Sequence, residues 1–439
     1  MILNCRIMTA DNRARVAEER GAVDRLSNLP INAIQNIIGR MPIRDAARTS
    51  ILSSKWRYIW AEYPEVVLDE QFYAEIMRNN SPNFFLTEYV NKVNGILFQH
   101  LGPILKFVLD IPELYSTQYS SIDQWLLFVS RKDVTKLILH NRSPNPYKVP
   151  CYAFSCPKLA YISVTKYIFR APNSEGFFGK LTHLFLETVT FQFSVLNLPQ
   201  LVQLELKNCF GIQLLCVSAP SLRILNLQDN DDLDLSYYIT CKDLVTVCIG
   251  LSVGVEHDKL DKNITLTKLL GCWPELECLY LNGSFLKHLA AGDIPQRLPI
   301  DQVNSLVYLA PFCITYHCAE IACILCLLQS AWNLSELEIW ADEQIIYDEK
   351  TVSYLKDPDL MKQSFKGLQT VIMKMFKGLT SELLLVKLLL ACSPSLERMC
   401  IEENQDLDPI ERLNTSKELL RFSRASPKAE IIFQPGIET

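Results

Sequence analysis

From residue 104 onward the chain repeats one spacing: apolar, two variable, apolar, one variable, apolar. It appears as Ile104/Phe107/Leu109, Val134/Leu137/Leu139, Leu159/Ile162/Val164, Leu181/Leu184/Leu186, Leu201/Leu204/Leu206, Leu222/Leu225/Leu227 and Leu244/Val247/Ile249. It resumes at Leu276/Leu279/Leu281, Leu334/Leu337/Ile339, Leu368/Val371/Met373 and Leu396/Met399/Ile401. Strand side chains alternate, so the last two apolar residues of each triplet share one face of a short strand. Parallel stacking of such strands pairs their backbone groups and joins the inward leucines into one core. Pro199, Pro220, Pro274 and Pro394, each two residues before a triplet, hold the entering backbone extended.

Between residues 159 and 244 the steps are 22, 20, 21 and 22 residues, the period of a leucine-rich repeat. Cys209, Asn230 and Asn404 fall eight residues after a first leucine, where an Asn side chain can satisfy backbone groups as the chain leaves the strand. After residue 249 the steps widen to about 30, which leaves room for helices such as 318–329. Residues between and beside the inward leucines face outward, and a rigid strand face carrying aromatics is a binding surface. The candidates there are His183, Phe185, Glu187, Tyr280, Trp340 and Arg398, with Phe185, Tyr280 and Trp340 as anchors.

The segment before the repeats is helical. Ile34, Ile37, Ile38 and Met41 follow the spacing of one helical face. Pro30 suits the first turn of that helix and Pro42 ends it. Asp45 suits the start of a second helix, and Ser53 or Ser54 caps a third carrying Trp56 and Trp60. Three short helices in about 40 residues cannot bury a self-sufficient core, so this much apolar surface calls for a partner. Leu86, Val90, Val93, Leu97 and Leu101 place a further helix before the first strands. At the other end, Thr415 to Glu418 reads as a capping box, with Leu419, Leu420 and Phe422 buried behind it.

Leu29-Pro30, Leu52-Ser53 and the run Trp56-Arg57-Tyr58-Ile59-Trp60 closely resemble the F-box of plant F-box proteins, over about residues 24 to 64. Phe376-Lys377-Gly378, Glu382, 387–390, Pro394 to Glu397 and Arg424 to Ile431 resemble the FBD module that ends many such proteins. The chain is thus identified as similar to the plant F-box/FBD/leucine-rich-repeat family. The expected fold is α/β, with an N-terminal three-helix F-box, then an irregular leucine-rich-repeat solenoid with parallel strands on its concave face, then an FBD-like α/β cap. The expected boundaries are a flexible N-terminus at 1–23, F-box 24–64, joining helical region 65–103, solenoid 104–364, FBD-like module 365–433 and tail 434–439. The resemblance implies docking to a Skp-family adaptor through Leu29, Pro30, Ile34, Leu52 and Trp56. Through that adaptor it implies a cullin–RING ubiquitin ligase of the SCF type, for which the repeat surface selects a target protein. Ile31 departs from the family pattern, where an acidic residue often follows Leu-Pro.

Composition sharpens this reading. The 439 residues are 49% apolar and 21% charged, with net charge −6. Residues 11–60 hold nine Arg/Lys against five Asp/Glu, a local excess of four, without the interleaved stacking aromatics of a nucleic-acid surface. An acidic protein partner fits better, and no nucleic acid is expected. No run of 18 uninterrupted apolar residues exists, so no membrane span is expected. The first eight residues are too short and interrupted for a signal-peptide core, which favours the cytoplasm and/or the nucleus. The fifteen cysteines are an odd number and scattered through apolar segments, as reduced core thiols are. Cys323 and Cys326 form the only Cys-x-x-Cys and have no second ligand pair, so neither metal nor cofactor is expected. No phosphate loop, no Gly-x-Ser-x-Gly elbow and no His-Glu-x-x-His occurs, and a non-catalytic protein is expected. The alternative to a ligase receptor is a repeat-based scaffold or small-ligand sensor with a degenerate F-box.

Overall fold

The computed structural model describes Leu26 and residues 28–79, 82–113, 119–170, 178–192, 194–230, 235–238, 240–252, 265–291, 298–299, 303–344, 348–404 and 408–436. The expected N-terminal segment 1–23 lies outside these residues, as do residues 437–439 of the tail. The chain divides into two compact units, residues 1–137 and 138–439.

The first unit opens with helices α1 (Ile31–Ile38) and α2 (Ile43–Arg48), a 3-10 turn at Thr49–Ile51 and helix α3 (Ser54–Ala61). Pro30 and Pro42 stand at the N-caps of α1 and α2 with extended backbone, where a missing N–H costs nothing. Ser53 caps α3, its hydroxyl accepting the Trp56 N–H at 3.3 Å. Strand β1 (Glu65–Leu68) then pairs in parallel with β2 (Lys106–Ile111). Between them lie α4 (Glu70–Asn79) and α5 (Pro82–Gln99), and α6 (Tyr119–Val129) follows β2. Helix α5 buries Phe85, Tyr89, Val93 and Leu97. That stripe lies one residue off the expected Leu86 and Val90, and Leu101 falls beyond the helix and is exposed. Aromatic size decides this: Tyr89 packs edge-on against Phe72 and Trp125, and its hydroxyl donates to the Asp110 carbonyl at 2.6 Å.

The second unit is a parallel sheet built from the triplets. Its strands are β3 (Lys136–Asn141), β5 (Tyr161–Thr165), β7 (His183–Glu187), β10 (Gln203–Lys207), β12 (Ile224–Gln228) and β13 (Thr246–Gly250). They continue as β14 (Cys278–Asn282), β15 (Tyr308–Phe312), β16 (Glu336–Trp340), β17 (Thr370–Phe376), β18 (Arg398–Glu403) and β19 (Glu430–Pro435), neighbours in that order. The register aligns leucine with leucine: Leu184 with Leu204, Leu204 with Leu225, Leu225 with Val247. All of these are buried. Pro311 sits within β15; it faces Leu281 of β14, while pairing with β16 stops at Leu309. A residue without an N–H cannot continue that ladder.

The short repeats close their far side with small ladders, β4 (Tyr147–Lys148), β6 (Tyr167–Phe169) and β8 (Thr190–Phe191) in one, β9 (Ser194–Asn197) and β11 (Leu215–Ser218) in the other. The longer repeats use helices instead: α7 (Leu266–Gly271), α8 (Gly283–Ala290), α9 (Cys318–Ser330), α10 (Glu349–Leu355), α11 (Thr380–Cys392) and α12 (Pro409–Leu419). Helix α9 matches the helix expected in that widened step.

As the short-repeat strands end, Lys166, Thr188, Asn208 and Asp229 all adopt positive φ, between 51° and 63°. Each donates its N–H to the next turn, as Thr188 does to the Lys207 carbonyl at 2.8 Å and Asn208 to Gln228 at 2.8 Å. The segment from β17 to β19 runs strand, helix, strand, helix, strand. Its last helix departs from the expected start. It opens at Asp408 and Pro409, so Thr415 is buried in mid-helix and heads no capping box. Leu419 is buried, but Leu420 is 71% exposed because it follows the helix end. Among the described residues no helix is long and apolar enough to cross a membrane.

Candidate protein-docking surfaces

In the first unit the three helices make a small core of Ile34, Ile38, Ala46, Trp56, Ile59 and Trp60, with Leu29 and Met41 packed at its edge. Ile34 is 0% and Trp56 2% exposed, so neither forms the adaptor surface expected of it. Both are corrected to core positions. Ile34 and Ile38 lie four residues apart on α1, as Trp56 and Trp60 do on α3, and the two pairs meet inside. The Trp56 indole N–H is buried with no acceptor among the described residues. Of the other expected adaptor residues, Pro30 and Leu52 are exposed and Leu29 is half-buried, its carbonyl held by the Lys55 ammonium at 3.0 Å.

Sequence reasoning missed other exposed side chains. Leu26, Ile31, Ile51 and Tyr58 stand more than half exposed, and Ile37, expected on the buried face, is also open. The available signal was the apolar excess of this segment over what three short helices can bury. Beside the helices a recess of about 400 Å³ is lined by Ala47, Ile51, Trp60, Phe72, Ile76 and Ile96. An Arg44–Glu75 ion pair lies at its edge.

In the second unit most outward positions of the sheet are open or half-buried, Ala310 of β15 being a buried exception, and the expected residues divide into groups. On β7, His183 and Phe185 stack on each other and meet Tyr161 of β5 at a tilt, the Tyr161 and Phe185 ring centres being 5.1 Å apart. Exposed Glu187 follows, 3.9 Å from the Lys207 ammonium. Farther along the sheet, Tyr280 packs on Tyr308 at 5.4 Å. Trp340 donates its indole N–H to Glu338 at 2.7 Å, and the Lys374 ammonium lies 4.0 Å over its ring. Arg398 is exposed, in register with Thr370 and Glu430. Tyr161 and Tyr308 open their strands as His183 and Arg398 do, but were not singled out from the sequence.

Glu338 ties its group together. It accepts from Lys374 at 2.7 Å, from the Trp340 indole and from the Tyr308 hydroxyl. Burial pushes its carboxyl up, but the hydrogen bonds from Lys374 and Tyr308 and the Lys374 charge outweigh that and hold it below the usual range. The Tyr308 phenol is driven up by burial and by the carboxylate it faces. Glu205, by contrast, is raised, first by burial and then by neighbouring Glu187, against the opposing pull of Lys207 and Asn226.

The described residues offer one group of three metal-type ligands, His317, Cys318 and Asp348, within 4.8 Å of one another. Two of them already serve as helix caps: His317 Nδ1 accepts from Ala319 N at 3.2 Å and Asp348 Oδ1 from Lys350 N at 3.0 Å. The fully buried Glu320 and Glu382 are caps as well. Glu320 accepts from His317 N at 2.9 Å, and Glu382 from Leu379 N at 2.8 Å and Lys377 N at 3.0 Å. Burial lifts the Glu382 carboxyl to about 7 against the pull of those backbone donors. Cys323 and Cys326 are buried in α9, and burial drives both thiols up.

The first unit thus leaves apolar side chains open on three short helices, and the second presents a leucine-rich-repeat sheet. The F-box domain matches residues 26–65. An F-box/FBD/LRR-repeat protein of Arabidopsis thaliana is 31% identical over 426 residues, 93% of this chain and 98% of the relative. An F-box/LRR-repeat protein of the same plant is 25% identical over 253 residues, 55% of this chain and 65% of the relative. Among solved structures, an internalin from Listeria monocytogenes aligns over 80% of this chain and 95% of its own at 13% identity, with a TM-score of 0.29. The chain belongs to the F-box/FBD/leucine-rich-repeat family.

Proposed function

We propose that this chain is the substrate-recognition subunit of an SCF-type ubiquitin ligase, acting in the cytoplasm and/or nucleus. Its F-box docks onto a Skp-family adaptor and, through it, onto a cullin–RING ligase. The outward strand face of the repeats holds the target, and catalysis belongs to the partners, with this chain supplying proximity. The observation that carries the reading is the set of large apolar side chains left open on the three-helix unit, with Ile51 82%, Tyr58 61%, Leu52 55% and Ile31 54% exposed. Large apolar side chains left open on so small a helical unit support a protein-binding role. Leu29, Pro30 and Leu52 stay in the proposed adaptor surface, joined by Ile31, Ile51 and Tyr58. The test is co-expression with a Skp-family adaptor: the Ile51→Asp/Leu52→Asp double variant should lose the adaptor on purification while keeping its melting temperature. Unchanged recovery would overturn the reading.

The apolar recess beside the three helices favours one second reading, a small-ligand sensor whose F-box is only structural. Failure of the wild-type chain to retain any Skp-family adaptor would favour that alternative.

A further inference from the structure

Helix α5 carries a glycine that its own chain does not ask for. Gly95 lies inside the helix, where glycine costs stability relative to alanine. Other glycines are held small by close neighbours. A Cβ at Gly102 would fall within 3.0 Å of the Glu62 backbone, and one at Gly283 within 3.0 Å of Cys313 and Glu320. A Cβ at Gly95 would meet nothing within 4 Å among the described residues. A residue kept small against no neighbour of its own leaves room for something from outside to approach the backbone.

Its place on the helix says what it opens onto. Lys92, Gly95, Ile96 and Gln99 share one helical face and all line the recess of about 400 Å³ beside the three helices. Trp60, Phe72 and Ile76, all buried, add apolar lining. The cations that line it are already matched: Arg44 with Glu75, Arg48 with Asp45 at 3.6 Å, and Lys92 with Glu88 at 3.1 Å. A charged ligand would give up its water here with no unpaired charge to receive it. The acidic protein partner that the basic excess of residues 11–60 favours would meet the same lack. Ser50 and Gln99 contribute one hydroxyl and one carboxamide. Clefts of about 300–1,000 Å³ lined mainly by apolar and aromatic side chains, with few polar groups, suit small molecules.

We propose that this recess binds an uncharged, mostly apolar small molecule, seated against the α5 backbone at Gly95 and packed on Trp60 and Phe72. Ser50 and Gln99 are its hydrogen-bonding groups. The inference goes beyond adaptor docking and holds whether the F-box engages an adaptor or is only structural. In the second case it names the ligand class of the sensor.

The test uses the full-length chain and two fluorescent dyes with one aromatic frame, uncharged phenylnaphthylamine and its sulfonated counterpart, anilinonaphthalenesulfonate. The uncharged dye should bind saturably and about tenfold more tightly than the sulfonate. Gly95→Leu fills the recess and should weaken that binding about tenfold without lowering the melting temperature. Gly95→Ala, which favours the helix, should weaken it about threefold and keeps the result decisive if leucine disturbs folding. Leu52→Asp, outside the recess on the open three-helix surface, should leave dye binding unchanged. Binding that ignores both Gly95 variants, falls with Leu52→Asp, or favours the sulfonate would overturn the inference. So would a Gly95→Leu chain that binds the dye as the wild type does but loses the adaptor, since the recess would then be a seat for the adaptor. Adaptor recovery by the Ile51→Asp/Leu52→Asp variant reports on docking separately, so either reading can fail while the other stands.

Discussion

Asn230 and Cys209 belong to successive turns, yet one side chain serves both. The Asn230 carboxamide accepts the Cys209 N–H at 2.9 Å and donates to the Leu206 carbonyl at 3.0 Å. Asn282 repeats the device with Leu251, accepting its N–H at 3.1 Å and donating to its carbonyl at 2.7 Å. Both asparagines are buried, so they stand in for water where the chain leaves the sheet.

Asn230→Ala is therefore expected to strand a buried donor and a buried acceptor, at about 1–3 kcal/mol for each group. Denaturant unfolding should show a loss of roughly 2–6 kcal/mol. Lys207→Ala, on an exposed position nearby, should change stability by less than about 0.5 kcal/mol. Equal effects would mean that the carboxamide adds nothing beyond its volume.

Thr188 holds positive φ at 53°, a conformation costly for a β-branched residue and tolerated by asparagine. Neighbouring Asn208 already shows the tolerant choice at the equivalent place. Thr188→Asn should raise the melting temperature, with a gain of about 0.5–1 kcal/mol. A lower melting temperature would show that the Thr188 side chain contributes more than its backbone costs.

Glu382 sets a pH dependence. Its carboxyl titrates near 7 in the folded chain, because burial opposes the charge, whereas an unfolded glutamate titrates near its usual 4.5. The folded state therefore holds the proton more tightly, and its stability falls as pH rises from about 4.5 through 7. Glu382→Gln keeps an oxygen to accept the Leu379 and Lys377 N–H groups and removes the titration. Measured between pH 5 and 8, the variant should gain on the wild type by roughly 3 kcal/mol or less. Parallel pH profiles would show that the backbone donors alone hold Glu382 charged.

Trp56 and Leu52 should separate folding from docking. Trp56→Ala removes a fully buried indole and is expected to cost about 3–5 kcal/mol, unfolding the three-helix unit. Leu52→Ala, on an exposed residue, should stay within about 0.5 kcal/mol by thermal melting. A similar loss for both would place Leu52 in the core as well.

Much of this was legible in the sequence. The inward positions of every short repeat follow from the triplet, because strand alternation leaves two residues spaced by one no choice but a common face. The Asn230 slot was legible for the same reason, since it recurs at a fixed offset from that strand.

What spacing did not settle was which side of a short helix is covered. Ile34 and Ile37 look alike in sequence, as do Trp56 and Tyr58, but Ile34 and Trp56 are interior and the other two are open. Local periodicity names an apolar face without saying what lies against it. That depends on the crossing of three helices, a property of contacts between residues distant in the chain. The outward residues of the sheet show the same division. The sequence determined that Glu205 and Glu338 point away from the leucines. Only the stacking of strands decided that Lys374 and Tyr308 both reach Glu338, because register brings together residues some 30 to 36 positions apart.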